Sequence, residues 1–414
     1  MKNPTDTAQL KTVSLSETAI PAKTTRMLLK LVRAAQPISR IELARRLAVN
    51  RSTVTDIFKP LINAGILREE PFPTASATNR LQGRPPIGIS FNSDREFFAG
   101  VNLGVRRSQV GLTTLSGEIL AETEFETPSD SGAALKLIQK NITQLCAKIT
   151  DRELKTIGVS VPGPTDASRR QLLYAPHLGW RDVHIADFLE KTCNFKNVPV
   201  VVENDATAAA LYEARLHLKN TDQGLMNNFV LLRSGTGIGI GLVIEGEVYR
   251  GTGIGKGIAG EFGHMTIVAG GKPCVCGNRG CWEKYASASA ASSLYAGDRA
   301  NFGGAEPPRF VQIVERAENG EIRAQRTLEK LGEYLGIGIG NMIMGVGVPH
   351  IIVSGRLVYA WKYIKKPLFD AVGKSMAGKL ADWKIECGEP KGAAIGGALE
   401  VAVEEFLMHG LVQH

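Results

Sequence analysis

The chain is poor in the features that would send it out of the cytosol or into a membrane. It has no run of eighteen apolar residues, which predicts no membrane insertion. Its first residues, MKNPTDTAQLKTVSLSETAI, lack the apolar stretch of a secretory signal and read as a disordered polar tail over 1–21. Cysteine is scarce, six in 414 residues, which excludes a disulfide-built scaffold and fits a reducing, cytoplasmic setting. Aromatic residues make up only 6%, while 43% of the chain is hydrophobic, a composition ordinary for globular domains. At this length two or three domains are expected.

Charge is present but unevenly placed. Between Ala22 and Ser93 lie twelve Lys and Arg against Glu42, Asp56, Glu69 and Glu70, which accounts for the whole formal charge of +8. A basic module of 22–93 ahead of a neutral body points to a polyanion partner; a merely solvated basic surface is the alternative. Apolar residues at 27, 28, 31, 32 and 35 predict one helix, ended by Pro37. Ser39, with Glu42 three residues on, predicts the capped start of a second. Ser52 is expected to cap a third, closed by Gly65. Ile41, Leu43, Ala44, Leu47, Val54, Ile57, Leu61 and Leu67 are assigned to the core. The pattern resembles a winged helix-turn-helix with its wing over 68–91. Arg51, Ser52, Thr53, Thr55 and Lys59 would then meet double-stranded DNA, and Arg84 would enter a minor groove. A three-helix protein-interaction module fits the same helices.

From Phe97 the texture changes to strands joined by glycine-rich turns. FFAGVNLGVRRSQVGLTTLSGEILAE is echoed by NFVLLRSGTGIGIGLVIEGEVYRG, a weak internal repeat that predicts two related α/β lobes around a cleft. The expected division is 97–210 for the first lobe, joined by a C-terminal helix over 391–408, and 211–390 for the second. Asn204 and Asp205 follow an apolar strand, at the end where ligands of open α/β sheets gather. Gly163 can bring backbone close to a ligand.

Three of the six cysteines fall within one eight-residue stretch, Cys274, Cys276 and Cys281, ten residues after His264. This H-x9-C-x-C-x4-C spacing offers four nitrogen and sulfur ligands and predicts one structural Zn²⁺ per chain. The alternative, a group of core cysteines, fits poorly with Gly271, Gly277 and Gly280 around them.

In order along the body stand VPGP (161–164), END (203–205), SGTGIGIG (234–241), EFGH (261–264) and CVCGNRGCWE (274–283). With these motifs the body resembles the ROK family of repressors, open reading frames and sugar kinases, over about 97–408. The resemblance implies an actin/hexokinase-like (ribonuclease H-like) α/β body, preceded here by the mostly helical winged head. It implies the same four zinc ligands and sugar contacts from Glu261, His264 and Glu283, with Gly163, Asn204 and Asp205 beside them. In the family's kinases the residue at Asp205 is the catalytic base. ROK proteins commonly carry Asn where this chain has His177. At the first phosphate turn, where ROK kinases read D-x-G-G-T, this chain has Asn102-Leu103-Gly104-Val105-Arg106. Losing that carboxylate argues against ATP and Mg²⁺ as cofactors. The expected function is a sugar-responsive transcriptional regulator, a repressor of carbohydrate genes whose effector is a sugar or sugar phosphate. A homodimer or homotetramer is expected. Two alternatives stand beside it: a sugar kinase carrying a DNA-binding head, and a repressor controlled by a protein partner.

Overall fold

The computed structural model describes residues 22–71, 87–93, 95–191, 195, 197–219, 227–252, 257, 259–297, 306–380, 382–388 and 392–410. The polar tail of 1–21 and Arg84 of the wing lie outside these residues.

The head comprises α1 (Ala22–Ala35), β1 (Ile38–Ser39), α2 (Arg40–Leu47), α3 (Arg51–Asn63), β2 (Leu67–Pro71) and β3 (Ile87–Phe91). Its small sheet runs β1-β3-β2, with β3 antiparallel to both neighbours. Ser39 Oγ accepts the Glu42 backbone N–H at 3.1 Å, as the spacing suggested. The Glu42 carboxylate instead binds Arg45 and Arg46, so the box closes on one side only. Leu43 and Ala44 are buried, but Ile41 is 51% exposed. On a helix of 3.6 residues per turn, Ile41 lies about 110° round from the Leu43–Ala44–Leu47 face. Leu47 itself is half-buried. Ser52 does not cap α3: the helix has already begun at Arg51, and Asn50 holds the cap position without a side-chain bond. Gly65, at φ +72°, follows the cap residue Ala64, where a left-handed turn favours glycine.

The first lobe holds β4 (Glu96–Asn102), β5 (Arg107–Thr114), β6 (Ile119–Glu126), α4 (Ser131–Cys146), β7 (Glu153–Val161), β8 (Leu172–Ala175), β9 (Trp180–Val183), α5 (Ile185–Glu190) and β10 (Val200–Asn204). Then come α6 (Asp205–Lys219), β11 (Phe229–Ser234), β12 (Ile238–Ile244), β13 (Glu247–Val248), α7 (Glu283–Ala286), α8 (Ala288–Ala296), α9 (Phe310–Glu318), α10 (Ile322–Val346), β14 (His350–Gly355), α11 (Trp361–Lys374), α12 (Met376–Leu380), β15 (Lys384–Cys387) and α13 (Ala393–Glu405). The two large sheets run β10-β7-β4-β5-β6 and β15-β14-β11-β12-β13. Each has three parallel strands followed by an antiparallel meander, so the weak sequence repeat is a structural one.

Two helices join the lobes. α13 lies on the first sheet, where a Cβ at Gly158 would stand 2.5 Å from the Ala398 carbonyl oxygen. α6 lies on the second, where a Cβ at Gly241 would stand 2.5 Å from the Ala206 carbonyl oxygen. These glycines let helix backbone touch sheet backbone, which a side chain would prevent. Among the described residues no helix is long and apolar enough to cross a membrane.

The head does not hang on a linker. Its core is continuous with Phe98, Leu115, Ala402, Val403 and Leu407 of the body. Charged pairs frame that joint. Arg33, 4% exposed, binds Glu400 and donates to the Leu115 carbonyl at 3.1 Å. Lys30 reaches both Glu404 and Glu247 at 3.1 Å. Glu404 also pairs with Arg250 at 3.2 Å, and Arg250 with Glu203 at 2.6 Å. Despite the cost of burial, Lys30 and Arg250 hold the Glu404 carboxyl down at about 2. A carboxyl so depressed stabilises the fold fully above its unfolded pKa of about 4.3. That contribution is lost as pH falls through about 2. Glu404→Gln removes the carboxylate that Lys30 and Arg250 share but leaves each its second partner, Glu247 and Glu203. The loss is therefore expected to fall below about 3–5 kcal/mol, the cost of a fully broken buried pair. We expect a lower unfolding midpoint at pH 7 and a shrinking difference from the parent protein towards pH 2. An unchanged midpoint at pH 7 would remove this network from the account of stability.

Candidate functional site

The cysteine loop folds into a compact knot behind the cleft. Isolated bridges pair Thr266 with Cys281 and Pro273 with Arg279. Trp282, fully buried, pins the loop to α10: its indole N–H donates to the Tyr334 carbonyl at 2.9 Å, and its ring lies against Gly338, where a Cβ would stand 2.0 Å from it. One ligand atom from each of His264, Cys274, Cys276 and Cys281 falls within 4.8 Å of the others. The Cys276 and Cys281 sulfurs are 3.7 Å apart, and Cys274 Sγ is 3.6 Å from His264 Nδ1. A tetrahedral ion with metal–sulfur arms of about 2.3 Å needs sulfur–sulfur edges of about 3.8 Å. The four groups therefore fit one tetrahedral metal ion. Cys274 Sγ lies 3.1 Å from Glu283 Oε1. Burial, helped by that carboxylate, pushes the thiol's pKa well up, so only a bound cation suits it as a thiolate.

In front of the knot stand the acids. A 3-10 turn over Glu261–His264 packs on β12: a Cβ at Gly263 would stand 2.1 Å from the Ile238 carbonyl oxygen. His264 thus turns Nδ1 towards Cys274 and Nε2 towards Glu261, 3.9 Å from its Oε2. Glu261 opens to the cleft yet is surrounded by protein atoms. Burial, with Asp205 and Glu283 nearby, pushes its carboxyl up to about 7. Glu283 starts α7 and is buried. The Ser234 hydroxyl holds this segment to the end of β11 by accepting the Ala288 backbone N–H at 3.1 Å. His177, carried by the loop between β8 and β9, faces the same group from the first lobe; burial lowers its pKa against the pull of Glu283.

The remaining sugar candidates are placed less simply. Asn204 caps α6, its Oδ1 accepting from Ala206 and Thr207 at 2.9 and 3.2 Å, while its Nδ2 donates to the Gly163 carbonyl at 3.2 Å. Gly163 is tight against β8, where a Cβ would stand 2.0 Å from the Tyr174 carbonyl oxygen. Both residues thus brace the cleft floor. Asp205 begins α6 and pairs with Arg233 of β11. Arg233 was absent from the expected sugar group, and His177 entered it only as a departure from the family's usual Asn. The available signal for Arg233 was one charge ending an otherwise apolar strand, just before a glycine turn.

At the first glycine turn Asn102 is buried and faces inward. Its Nδ2 donates to Gln109 at 3.3 Å and its Oδ1 accepts from Ser160 at 3.2 Å. The turn closes on itself: a Cβ at Gly104 would stand 2.3 Å from the Arg107 carbonyl oxygen.

On the head, α3 exposes Arg51, Ser52, Thr55, Asp56 and Lys59, with Thr53 half-buried. The Thr55 hydroxyl donates to the Arg51 carbonyl at 3.0 Å.

The ROK family pattern matches residues 98–402, and a winged helix-turn-helix DNA-binding pattern matches 22–68. The chain is 29% identical over 390 residues to the xylose repressor of Bacillus spizizenii, covering 92% of this chain and 95% of that one. Its fold superposes on a crystal structure of a ROK family transcriptional regulator, a homologue of the Escherichia coli MLC protein, with a TM-score of 0.73, 26% identity and coverage of 94% and 96%. It also superposes on a ROK family glucokinase of Streptomyces griseus bound to glucose and AMPPNP, with a TM-score of 0.63 and 26% identity, over 74% of this chain and 99% of that one.

One metal ion per chain is expected on mass spectrometry of the native protein. Cys276→Ser should remove most of it, and a metal content unmoved by that change would sink the four-ligand assignment.

Proposed function

We propose the following role for the chain, which belongs to the ROK family: a sugar-responsive, DNA-binding transcriptional regulator, a repressor of carbohydrate uptake or catabolism genes. The observation that carries this reading is the ion-paired path from cleft to head. Glu203, directly before Asn204 and Asp205, binds Arg250 of the second lobe; Arg250 binds Glu404, and Glu404 binds Lys30 of α1. A sugar that draws the lobes together displaces Arg250 relative to Glu203 and so acts on the seat of the head. It shifts DNA binding only to the extent that it binds one arrangement better.

Within this reading the metal is a structural Zn²⁺, suited by three sulfurs and one imidazole with no open position. It holds the spacing of Glu261 and Glu283, whose carboxylates accept the hydroxyls of the sugar. His264 binds the ion through Nδ1 and turns Nε2 to the cleft. The head reads an operator with α3, through Arg51, Ser52, Thr53, Thr55 and Lys59, and with Arg84 of the wing. Two heads on a homodimer or homotetramer would span half-sites one helical turn apart. The protein acts in the cytoplasm.

The kinase reading is favoured by Asp205 and by the intact SGTGIGIG turn. Against it stand the neutral Asn102, tied inward, and the Arg233 guanidinium on Asp205, the group that would have to take a hydroxyl proton. Gly239 and Gly241 of that turn also have a packing reason, since α6 backbone or its Cβ atoms lie against them. No ATP-dependent phosphorylation of any sugar above the hydrolysis background is therefore expected.

The test is to recover genomic DNA fragments on the full-length protein and repeat the binding with a sugar panel. Discrete palindromic sites released by one sugar class are expected. Arg51→Ala should weaken operator binding at matched salt by about tenfold, the loss of one good contact. Affinity unaffected by every sugar, with the metal in place, would sink the sugar-responsive reading in favour of a protein partner.

A further inference from the structure

The cleft gathers three carboxylates, Asp205, Glu261 and Glu283, beside two imidazoles, His177 and His264. Among the described residues the cation in contact with these acids is Arg233, and it is already engaged: its Nη1 binds Asp205 Oδ2, with both side chains 25% exposed. Lys284 is felt at longer range, by His177 and Lys272, on the loop side of the group. Among the described residues the site is rich in acceptors and short of free positive charge.

This imbalance separates the two chemical classes of effector that the proposed function leaves open. A sugar hydroxyl donates to a carboxylate and forms a charge-assisted hydrogen bond without adding charge. A phosphate monoester brings about −1.5 to −2. To reach Arg233 it must come beside Asp205, whose like charge offsets the attraction of the guanidinium: unit charges 4 Å apart interact by about 4 kcal/mol at an effective dielectric of 20.

We propose that the effector is an uncharged sugar and that Arg233 is the residue that sets this choice. It occupies Asp205 Oδ2, fixes the carboxylate's orientation, and leaves Oδ1 to accept a hydroxyl. The Nη1 donor is thereby committed to Asp205, and a phosphate using the remaining N–H groups would lie against that carboxylate. This inference rests on the reading of the cleft as a sugar site.

Titration calorimetry on the full-length, metal-loaded protein tests it. The probes are D-xylose, D-glucose and N-acetylglucosamine, each against a phosphate ester of the same sugar. The free form of the sugar that binds is expected to hold at least tenfold more tightly than its ester. An ester that binds as tightly or more tightly overturns the proposal while leaving the sugar site standing. Binding of neither form by any pair removes the sugar site itself, and the proposal with it. The isosteric Asp205→Asn variant, first checked for an unchanged melting profile, frees Arg233. It should lose free-sugar affinity and narrow the preference over the ester by tenfold or more. Adding Arg233→Gln should abolish that narrowing. A selectivity ratio that stays put in Asp205→Asn would show that the pair does not decide the ligand; Arg233→Lys, which keeps the charge, should retain the parent preference and serves as the second check on folding.

Discussion

Much of this molecule hangs on the charges buried along α13. Glu400 and Glu404 lie one turn apart on one face of that helix, and each collects cations from elsewhere in the chain. Glu400 takes Arg33 of the head and Arg215 of α6; Glu404 takes Lys30 of the head and Arg250 of the second lobe. None of these groups can be buried alone without a heavy desolvation cost. The head, both lobes and the last helix must therefore be in register together for any of them to be in register at all. Apolar packing seals the joint, but packing tolerates sliding more readily than a paired charge tolerates separation.

This constraint explains why the local parts of the fold were legible in the sequence and the joint was not. The head's helices announce themselves through apolar spacing and the Ser39 cap, because those signals act within four residues. Ile41 departs from its expected place in the core for the same local reason: the apolar face closes on Leu43 and Ala44, and the helical angle turns Ile41 outward. The metal group was legible because His264 and the three cysteines are close in sequence and chemically uncommon together. Arg233 and Asp205 are 28 residues apart, and Arg250 and Glu404 are 154 apart. A lone arginine in an apolar strand or a glutamate in a C-terminal helix carries no mark of its partner. The long α10, whose glycines seat Trp282 and α11, was likewise not foreseen, since glycine in a helix interior argues against the helix until its neighbour is known.

The knot and the cleft share residues in a way that ties stability to recognition. Glu283 touches Cys274 on one side and, with Glu261 and His177, faces the cleft on the other. The metal group thus also forms part of the cleft's wall, since Cys274 and His264 both stand beside Glu283. Trp282 transmits the same rigidity backwards into α10, so the acids are placed by a core rather than by an exposed loop.

A scaffold shared by glucose-phosphorylating enzymes and repressors must differ in what it does with phosphate. Here two positions bear on that difference, one in each lobe. Asn102 turns its amide inward to Gln109 and Ser160, so the first glycine turn offers no carboxylate to a metal–phosphate complex. Arg233 pairs with Asp205, the acid that would take the hydroxyl proton in the kinase reading. On the proposed function the cleft presents acceptors to sugar hydroxyls, and the binding energy of the sugar biases the arrangement of the lobes. That bias reaches the head because the residue before Asn204 and Asp205 is Glu203, the first link in the chain of paired charges that ends at Lys30.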